Sequence, residues 1–220
     1  MPIDVVIFDC DGVLVLGTLE LYDEALTRAI RVVDPAAPDG DIATLRENTR
    51  GKSFDNHLRR YLGETRDLSD AIDAYESYIH DPVAFQRIRL LEGADAELRR
   101  LLASGKRVAL ATGMNPSLLD RLFAEDILPD IFESVAKVHD ILDSELQKPS
   151  PQLLTDLLSS MNVEPARACY VGDAPVDIEM ARRAGVMSIA VLTGWMDRAQ
   201  AEEASPDYIL DSMLEVHTIL

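Results

Sequence analysis

Four times along this chain a short apolar run rich in β-branched residues ends in a sharp turn, delivers a polar side chain and passes into a helical pattern. The four stretches begin at "VVIFDCDGVLV" (residues 5–15), "RVALATGMNPSLLDRLF" (107–123), "ARACYVGDAPVDIEMARRAG" (166–185) and "MSIAVLTGWMDRAQAEEA" (187–204). Short strands alternating with helices can bury both faces of a sheet only if the helices cover it on each side. That is the doubly wound, parallel α/β arrangement. In such sheets ligands bind beyond the carboxyl ends of the strands. Asp9, Asp11, Thr112, Asp173 and Thr193 all fall at those ends.

Residues 17 to about 86 follow another pattern. "DEALTRAIRVV", "GDIATLRENTR", "SFDNHLRRYLG" and "LSDAIDAYESYIHD" place apolar residues three and four apart, the spacing of helices. No strand pattern interrupts them. The expected division is an α/β core of residues 1–16 and 87–220, with a helical cap, 17–86, inserted after the first strand. At 220 residues the chain has room for one such core and one modest insertion.

The formal net charge is −18, which disfavours nucleic acid and anionic membrane surfaces, since both are bound through Lys and Arg. The same field repels an anionic substrate unless a metal or local cations reverse it. Two cysteines, Cys10 and Cys169, give no disulfide framework. The opening "MPIDVVIFD" lacks the basic and apolar regions of a signal peptide, and no apolar run reaches membrane-spanning length. A cytoplasmic location is expected. Oligomeric state has no signature.

The chemistry begins with Asp9 and Asp11. Neighbouring carboxylates repel each other and are costly to bury alone. In an extended strand, residues i and i+2 point to one side, which would pair the two acids and turn Cys10 into the packing. "YVGDAPVDIEMARRAG" ends a second strand in Gly172-Asp173. Asp177 follows in the first turn of a helix that Pro175 starts. Carboxylates from two strands at one sheet edge call for a hard divalent cation held by oxygen ligands, and Mg²⁺ suits that best. In "ALATGMNPSLL" the hydroxyl of Thr112, the amide of Gly113 and a helix capped by Asn115 form an anion site. In "QKPSPQLL", Lys148 precedes a helix expected to be capped by Ser150 and started by Pro151. A lone lysine there is ordinarily a surface residue, but here it can offset an acidic site.

The order DxDG, strand-end Thr-Gly, KPxP and GDxxxD resembles the haloacid dehalogenase-like hydrolase superfamily. The matching residues are Asp9, Asp11 and Gly12; Thr112 and Gly113; Lys148, Pro149 and Pro151; Gly172, Asp173 and Asp177. The helical insertion is similar to that of phosphoglycolate phosphatase-like and β-phosphoglucomutase-like members. The resemblance implies a Rossmann-like core and a Mg²⁺-dependent phosphatase acting on a small phosphorylated metabolite. Asp9 would be the nucleophile and Asp11 the general acid and base. Thr112, Gly113 and Lys148 would bind phosphate. The metal would be held by Asp9, Asp173 and the Asp11 carbonyl, with Asp177 a ligand or its partner. An acid at position 11 favours phosphate esters or anhydrides over carbon–halogen bonds.

This chain departs from the family at Leu16-Gly17, where an Asp followed by Ser or Thr is usual. The stretch "LGTLELYDEAL" carries no histidine where the mutases have one, which leans toward hydrolysis over a phosphosugar mutase. A non-catalytic binding protein on this fold is the third alternative, and intact catalytic positions oppose it. The cap turn Arg50-Gly51-Lys52-Ser53 resembles a substrate loop. Arg50 or Lys52 could there meet an anionic part of the substrate. The four histidines show no ligand spacing.

Overall fold

The structure, a computed structural model, describes residues 2–48, 58, 61, 63, 67–137 and 147–220. Its first strand, β1 (Val5–Phe8), has no exposed side chain, and its alternation shows why. Val5 and Ile7 pack on one side of the sheet, with Ala109, Ala111 and Tyr170. Val6 and Phe8 pack on the other, with Val108, Leu110 and Val171. A strand covered on both faces is a continuous apolar run, which is how β1 reads in the sequence.

Five further strands join it: β4 (Arg107–Thr112), β5 (Ser134–Lys137), β6 (Ala168–Gly172), β7 (Met187–Val191) and β8 (Tyr208–Leu210). Among the described residues the sheet has the order β5-β4-β1-β6-β7-β8 and every pairing in it is parallel. One face carries α5 (Ala94–Ala103) and α6 (Pro116–Ala124). The other carries α7 (Gln152–Met161) and α8 (Pro175–Ala184). The chain is thus a doubly wound parallel α/β fold, as the alternating pattern implies. A last helix, α9 (Arg198–Ala204), covers a small cluster of Ile178, Ala190 and Met196 through Ala201.

Between β1 and β4 the chain leaves the sheet. A two-stranded ribbon marks the departure and the return: β2 (Val15–Leu16) and β3 (Arg89–Leu90) pair antiparallel, Val15 opposite Leu90. In between lie α1 (Thr18–Val33), α2 (Asp39–Asn48), α3 (Ser69–Ile79) and the single turn α4 (Pro82–Phe85). Among the described residues no strand interrupts them. Helix α1 buries Thr18, Leu21, Ala25 and Ala29, spaced three and four apart, and packs along α3. The expected helix over 53–63 lies largely outside the described residues.

Register positions the sheet edge. Phe8 lies opposite Leu110 of β4 and Val171 of β6, and the Asp9 N–H donates to the Val171 carbonyl at 2.9 Å. Asp9, Thr112 and Asp173 therefore leave the sheet at the carboxyl ends of three adjacent strands. β1 is also where the winding reverses, with β4 and β5 to one side and β6 to β8 to the other.

Two local expectations need correction. Strand β1 ends at Phe8, so Asp9 and Asp11 sit in the following turn and the i, i+2 rule of a strand does not orient them. That turn is held by the Cys10 carbonyl, which accepts from the N–H groups of Leu14 and Val15, both at 2.9 Å. Helix α7 begins at Gln152 rather than Pro151, with Pro151 at the capping position and the Ser150 hydroxyl accepting weakly from Gln152 N–H at 3.4 Å. Asn115 does cap α6, its Oδ1 accepting from Ser117 and Leu118 N–H.

Candidate active site at the carboxyl edge of the sheet

Lys148 organises the site. Its ammonium lies 2.7 Å from Asp9 Oδ2 and 2.8 Å from Asp177 Oδ1, and all three side chains are at least nine-tenths buried. The ammonium nitrogen stands over the Tyr170 ring, 5.5 Å from its centroid. Tyr170 is fully buried and donates its hydroxyl to the Ala111 carbonyl at 2.9 Å, which ties β6 to β4 beneath the lysine. Burial alone would push Lys148 down, but Asp177 and Asp9 hold it well above the usual lysine range. It is a permanent cation here.

Each acid has fixed partners. Asp9 Oδ1 accepts from Cys10 N–H at 2.8 Å. Asp177 Oδ2 accepts from the Asp173 and Ala174 N–H groups at 3.1 and 3.0 Å, so one carboxylate both caps α8 and holds Lys148. Asp173 Oδ2 accepts from Trp195 N–H at 2.9 Å. Two glycines leave Asp173 room: a Cβ on Gly194 would stand 1.8 Å from Asp173 Oδ2, and one on Gly12 2.2 Å. Gly12 also has φ +69, the left-handed region that glycine tolerates. Gly172 is similarly constrained, since its Cβ would meet Asp177 Cβ at 2.4 Å.

The electrostatics of this cluster are unbalanced. Asp9, Asp173 and Asp177 each offer a carboxylate oxygen within 4.8 Å of the others, and one ammonium faces three acids. Burial pushes the Asp173 carboxyl well above its usual range, and the charges of Asp177 and Asp9 push it further. Burial also raises Asp9, with Lys148 opposing. Burial first and the charge of Asp9 second push Asp11 up to about 7. Such a set lacks positive charge, and its donors are all oxygen. It fits a hard divalent cation such as Mg²⁺, which would be bound by Asp9, Asp173 and Asp177.

Two measurements follow from that fit. Raised carboxyl pKa values mean that protons compete with the cation. For Asp11, at about 7 when folded against an ordinary 3.8, the folded state holds the extra proton between those values. Its stabilising contribution is complete below about 3.8 and is lost as pH rises to about 7. A cation that compensates the exposed charge should therefore raise the melting temperature more near pH 8 than near pH 5. Melting scans with Mg²⁺ and with EDTA at both pH values test this, and an equal or larger gain at the lower pH would contradict it. Gly194→Ala should force Asp173 aside and raise the Mg²⁺ needed for half-maximal thermal stabilisation by about tenfold or more. An unchanged Mg²⁺ requirement would show that Asp173 is not held by this close approach.

Thr112 ends β4 fully buried, and its Oγ1 accepts from Met114 N–H at 3.1 Å, which leaves the hydroxyl hydrogen free to donate. Gly113 is exposed, with nothing within 4 Å of where a Cβ would stand, so open space fronts this backbone. Asp11 is half-buried behind Gly12, and the Thr193 hydroxyl donates to the Gly12 carbonyl at 2.5 Å. The structure thus brings together Asp9, Lys148, Asp173 and Asp177, with Asp11, Thr112 and Gly113 on the same edge. Arg50 and Lys52 lie outside the described residues. Cys10 is fully buried and its thiol is pushed well above the usual range by burial, so it packs rather than reacts.

Tyr170, Gly194 and the Trp195 amide belong to the site. Tyr170 is not conspicuous in the sequence, whereas Gly194 and Trp195 follow a strand in "AVLTGW", next to Thr193. Of the histidines, His80 bonds Ser117 at 2.9 Å and His217 bonds buried Glu97 at 2.9 Å, so their partners are not the aspartates of the site. His57 and His139 lie outside the described residues.

A doubly wound parallel sheet whose adjacent strand ends gather three buried aspartates beside one lysine places a polar, acidic site where such folds bind their ligands. Residues 3–185 match the family described as haloacid dehalogenase-like hydrolase, and the chain belongs to that family. It is 28% identical to "Phosphoglycolate phosphatase, plasmid" of Cupriavidus necator, over all of this chain and 94% of that protein. It is 26% identical to pyrophosphatase PpaX of Bacillus cereus, over all of this chain and 97% of that protein. The crystal structure of a predicted phosphatase from Clostridium acetobutylicum shares the fold. Its TM-score is 0.82 at 20% identity, covering 99% of this chain and 98% of that one.

Proposed function

We propose that this chain is a Mg²⁺-dependent phosphatase that hydrolyses a small phosphorylated metabolite through an aspartyl-phosphate on Asp9. The observation that carries the reading is the buried Asp9 carboxylate, 2.7 Å from Lys148 and grouped with Asp173 and Asp177. It supplies an anionic nucleophile beside a fixed cation, in a place with donors for a second one. The relatives named for phosphoglycolate and pyrophosphate support a phosphorylated substrate.

In the first displacement an Asp9 carboxylate oxygen bonds to phosphorus as the bond from phosphorus to the leaving oxygen breaks. Asp11 gives its proton to that oxygen, a role suited to a carboxyl pushed up to about 7. In the second, a water oxygen bonds to phosphorus, the Asp9–phosphorus link breaks, and Asp11 takes the proton from that water. Lys148, the Thr112 hydroxyl and the Gly113 amide hold the oxygens of the phosphoryl group. Asp9, Asp173 and the Asp11 carbonyl, with Asp177 as ligand or partner, would hold Mg²⁺, which would supply positive charge to offset the carboxylates and the phosphoryl group. Residues 17–86 form the cap over a core of 1–16 and 87–220. The β2–β3 ribbon, which pairs the two connections, supports that division.

Inorganic phosphate release from a panel of phosphoglycolate, pyrophosphate, sugar phosphates and nucleotides, with Mg²⁺ and with EDTA, tests the proposal. Metal-dependent release from at least one member is the expected result. Sugar-phosphate isomerisation without net release would make the chain a mutase instead. Neither activity on any compound would leave a binding protein on this fold.

A further inference from the structure

Among the described residues three buried side-chain oxygens have no hydrogen-bond partner: Asp11 Oδ1, Thr18 Oγ1 and the Tyr22 hydroxyl. They are not scattered. Thr18 and Tyr22 lie one turn apart on the same face of α1, and Thr18 is fully buried. The Tyr22 ring stacks on Tyr75 of α3, centroids 6.4 Å apart and planes 6° from parallel. Burial first, then the charge of Asp11, raise the Tyr22 phenol, so it stands within the field of that carboxylate. The Asn115 backbone at the head of α6 faces the phenol without closing a hydrogen bond. Thr18 likewise stands beside Asp11 without closing one. The helical segment therefore sets the Thr18 hydroxyl beside the acid whose proton, in the reading above, goes to the leaving group, with the Tyr22 hydroxyl one turn along the same face of α1.

Buried hydroxyls without partners are costly, because dehydration is not offset by new hydrogen bonds. A ligand that supplies the partners removes that cost, and one that cannot is rejected. We infer that Thr18 and Tyr22 form a subsite for the leaving group. It selects phosphate esters whose leaving group carries an oxygen function of its own, a hydroxyl or a carboxylate, next to the ester oxygen. None of the three oxygens is open to water. The inference rests on the phosphatase reading and adds a substrate class to it.

Three esters with the same two-carbon leaving chain isolate the effect: ethyl phosphate, 2-hydroxyethyl phosphate and phosphoglycolate. p-Nitrophenyl phosphate serves as an activated reference. Wild type should hydrolyse at least one oxygenated ester with a kcat/KM about tenfold or more above that for ethyl phosphate. Tyr22→Phe keeps the ring on Tyr75 and removes only the hydroxyl, and Thr18→Val is close to isosteric. Each should cut the ratio of oxygenated ester to ethyl phosphate several-fold, mainly through KM, while Thr18→Ser retains it. A purely structural role would lower all substrates together and leave the ratio unchanged, and that result overturns the inference. So does wild type that treats ethyl phosphate as well as the oxygenated esters, or that acts on p-nitrophenyl phosphate alone. Release from none of the four overturns the inference, and only failure on the wider panel as well overturns the phosphatase reading.

Discussion

Asp9→Asn is expected to lower turnover by about 10⁴-fold or more while leaving the fold intact. Asparagine keeps the shape of aspartate and can still accept from Cys10 N–H, but its amide oxygen is no anionic nucleophile. Lys148 loses one of its two acids and keeps Asp177 at 2.8 Å, so the local packing has no reason to collapse. Phosphate release and a melting curve on the same preparation separate the two effects. Turnover within tenfold of wild type, with an unchanged melting temperature, would remove Asp9 from the chemistry.

Lys148→Met should have the second largest effect, and it acts on stability and activity together. Methionine fills a comparable volume over Tyr170 but leaves Asp9 and Asp177 facing each other without the ammonium. Both acids are buried, so breaking the pair should cost about 3 kcal/mol near pH 8 in EDTA. Activity should fall about 10²- to 10³-fold, since a donor to the phosphoryl oxygens is lost as well. The stability loss has a pH sign. Lys148 opposes the burial that raises the Asp9 carboxyl, so without the lysine Asp9 binds a proton more readily in the folded state and the deficit should shrink as pH falls toward 5. Denaturant titrations of both proteins at the two pH values read this directly. A deficit that is absent at pH 8, or that grows as pH falls, would mean the ion pairs do not carry the load assigned to them.

The centre of the sheet is legible in the sequence because β1, β4, β6 and β7 are covered on both faces and must be nearly continuous apolar runs. The edges are not. β5 is "SVAK", partly exposed along its length, and β8 is three residues. An edge strand has one neighbour and an exposed face, so its composition no longer separates it from a loop. The helices of the inserted segment are legible through their spacing, as in α1 and α3.

The site divides along similar lines. Acids that follow greasy strands are anomalous, so Asp9, Asp11 and Asp173 stand out from the sequence alone. What they touch does not. That Lys148 bridges Asp9 to Asp177, and that Tyr170 lies beneath it, depends on pairings between segments far apart in the chain. Asp173 is positioned by the Trp195 amide and by the missing side chains of Gly12 and Gly194. A backbone donor leaves no chemical signature in a residue string, and a glycine beyond a strand does not tell which side chain its missing Cβ makes room for. Thr18 and Tyr22 read simply as helix residues until the fold turns their hydroxyls inward without partners.

The central claim is a covalent phosphoryl intermediate on Asp9, and it can be trapped. Wild type turning over its best panel substrate with Mg²⁺ is quenched in acid, reduced with borohydride and digested for peptide mass spectrometry. An acyl phosphate is reduced to the alcohol, so homoserine should appear at position 9, and only when substrate and Mg²⁺ are both present. Continued phosphate release with position 9 unmodified, and with turnover surviving in Asp9→Asn, would contradict the account.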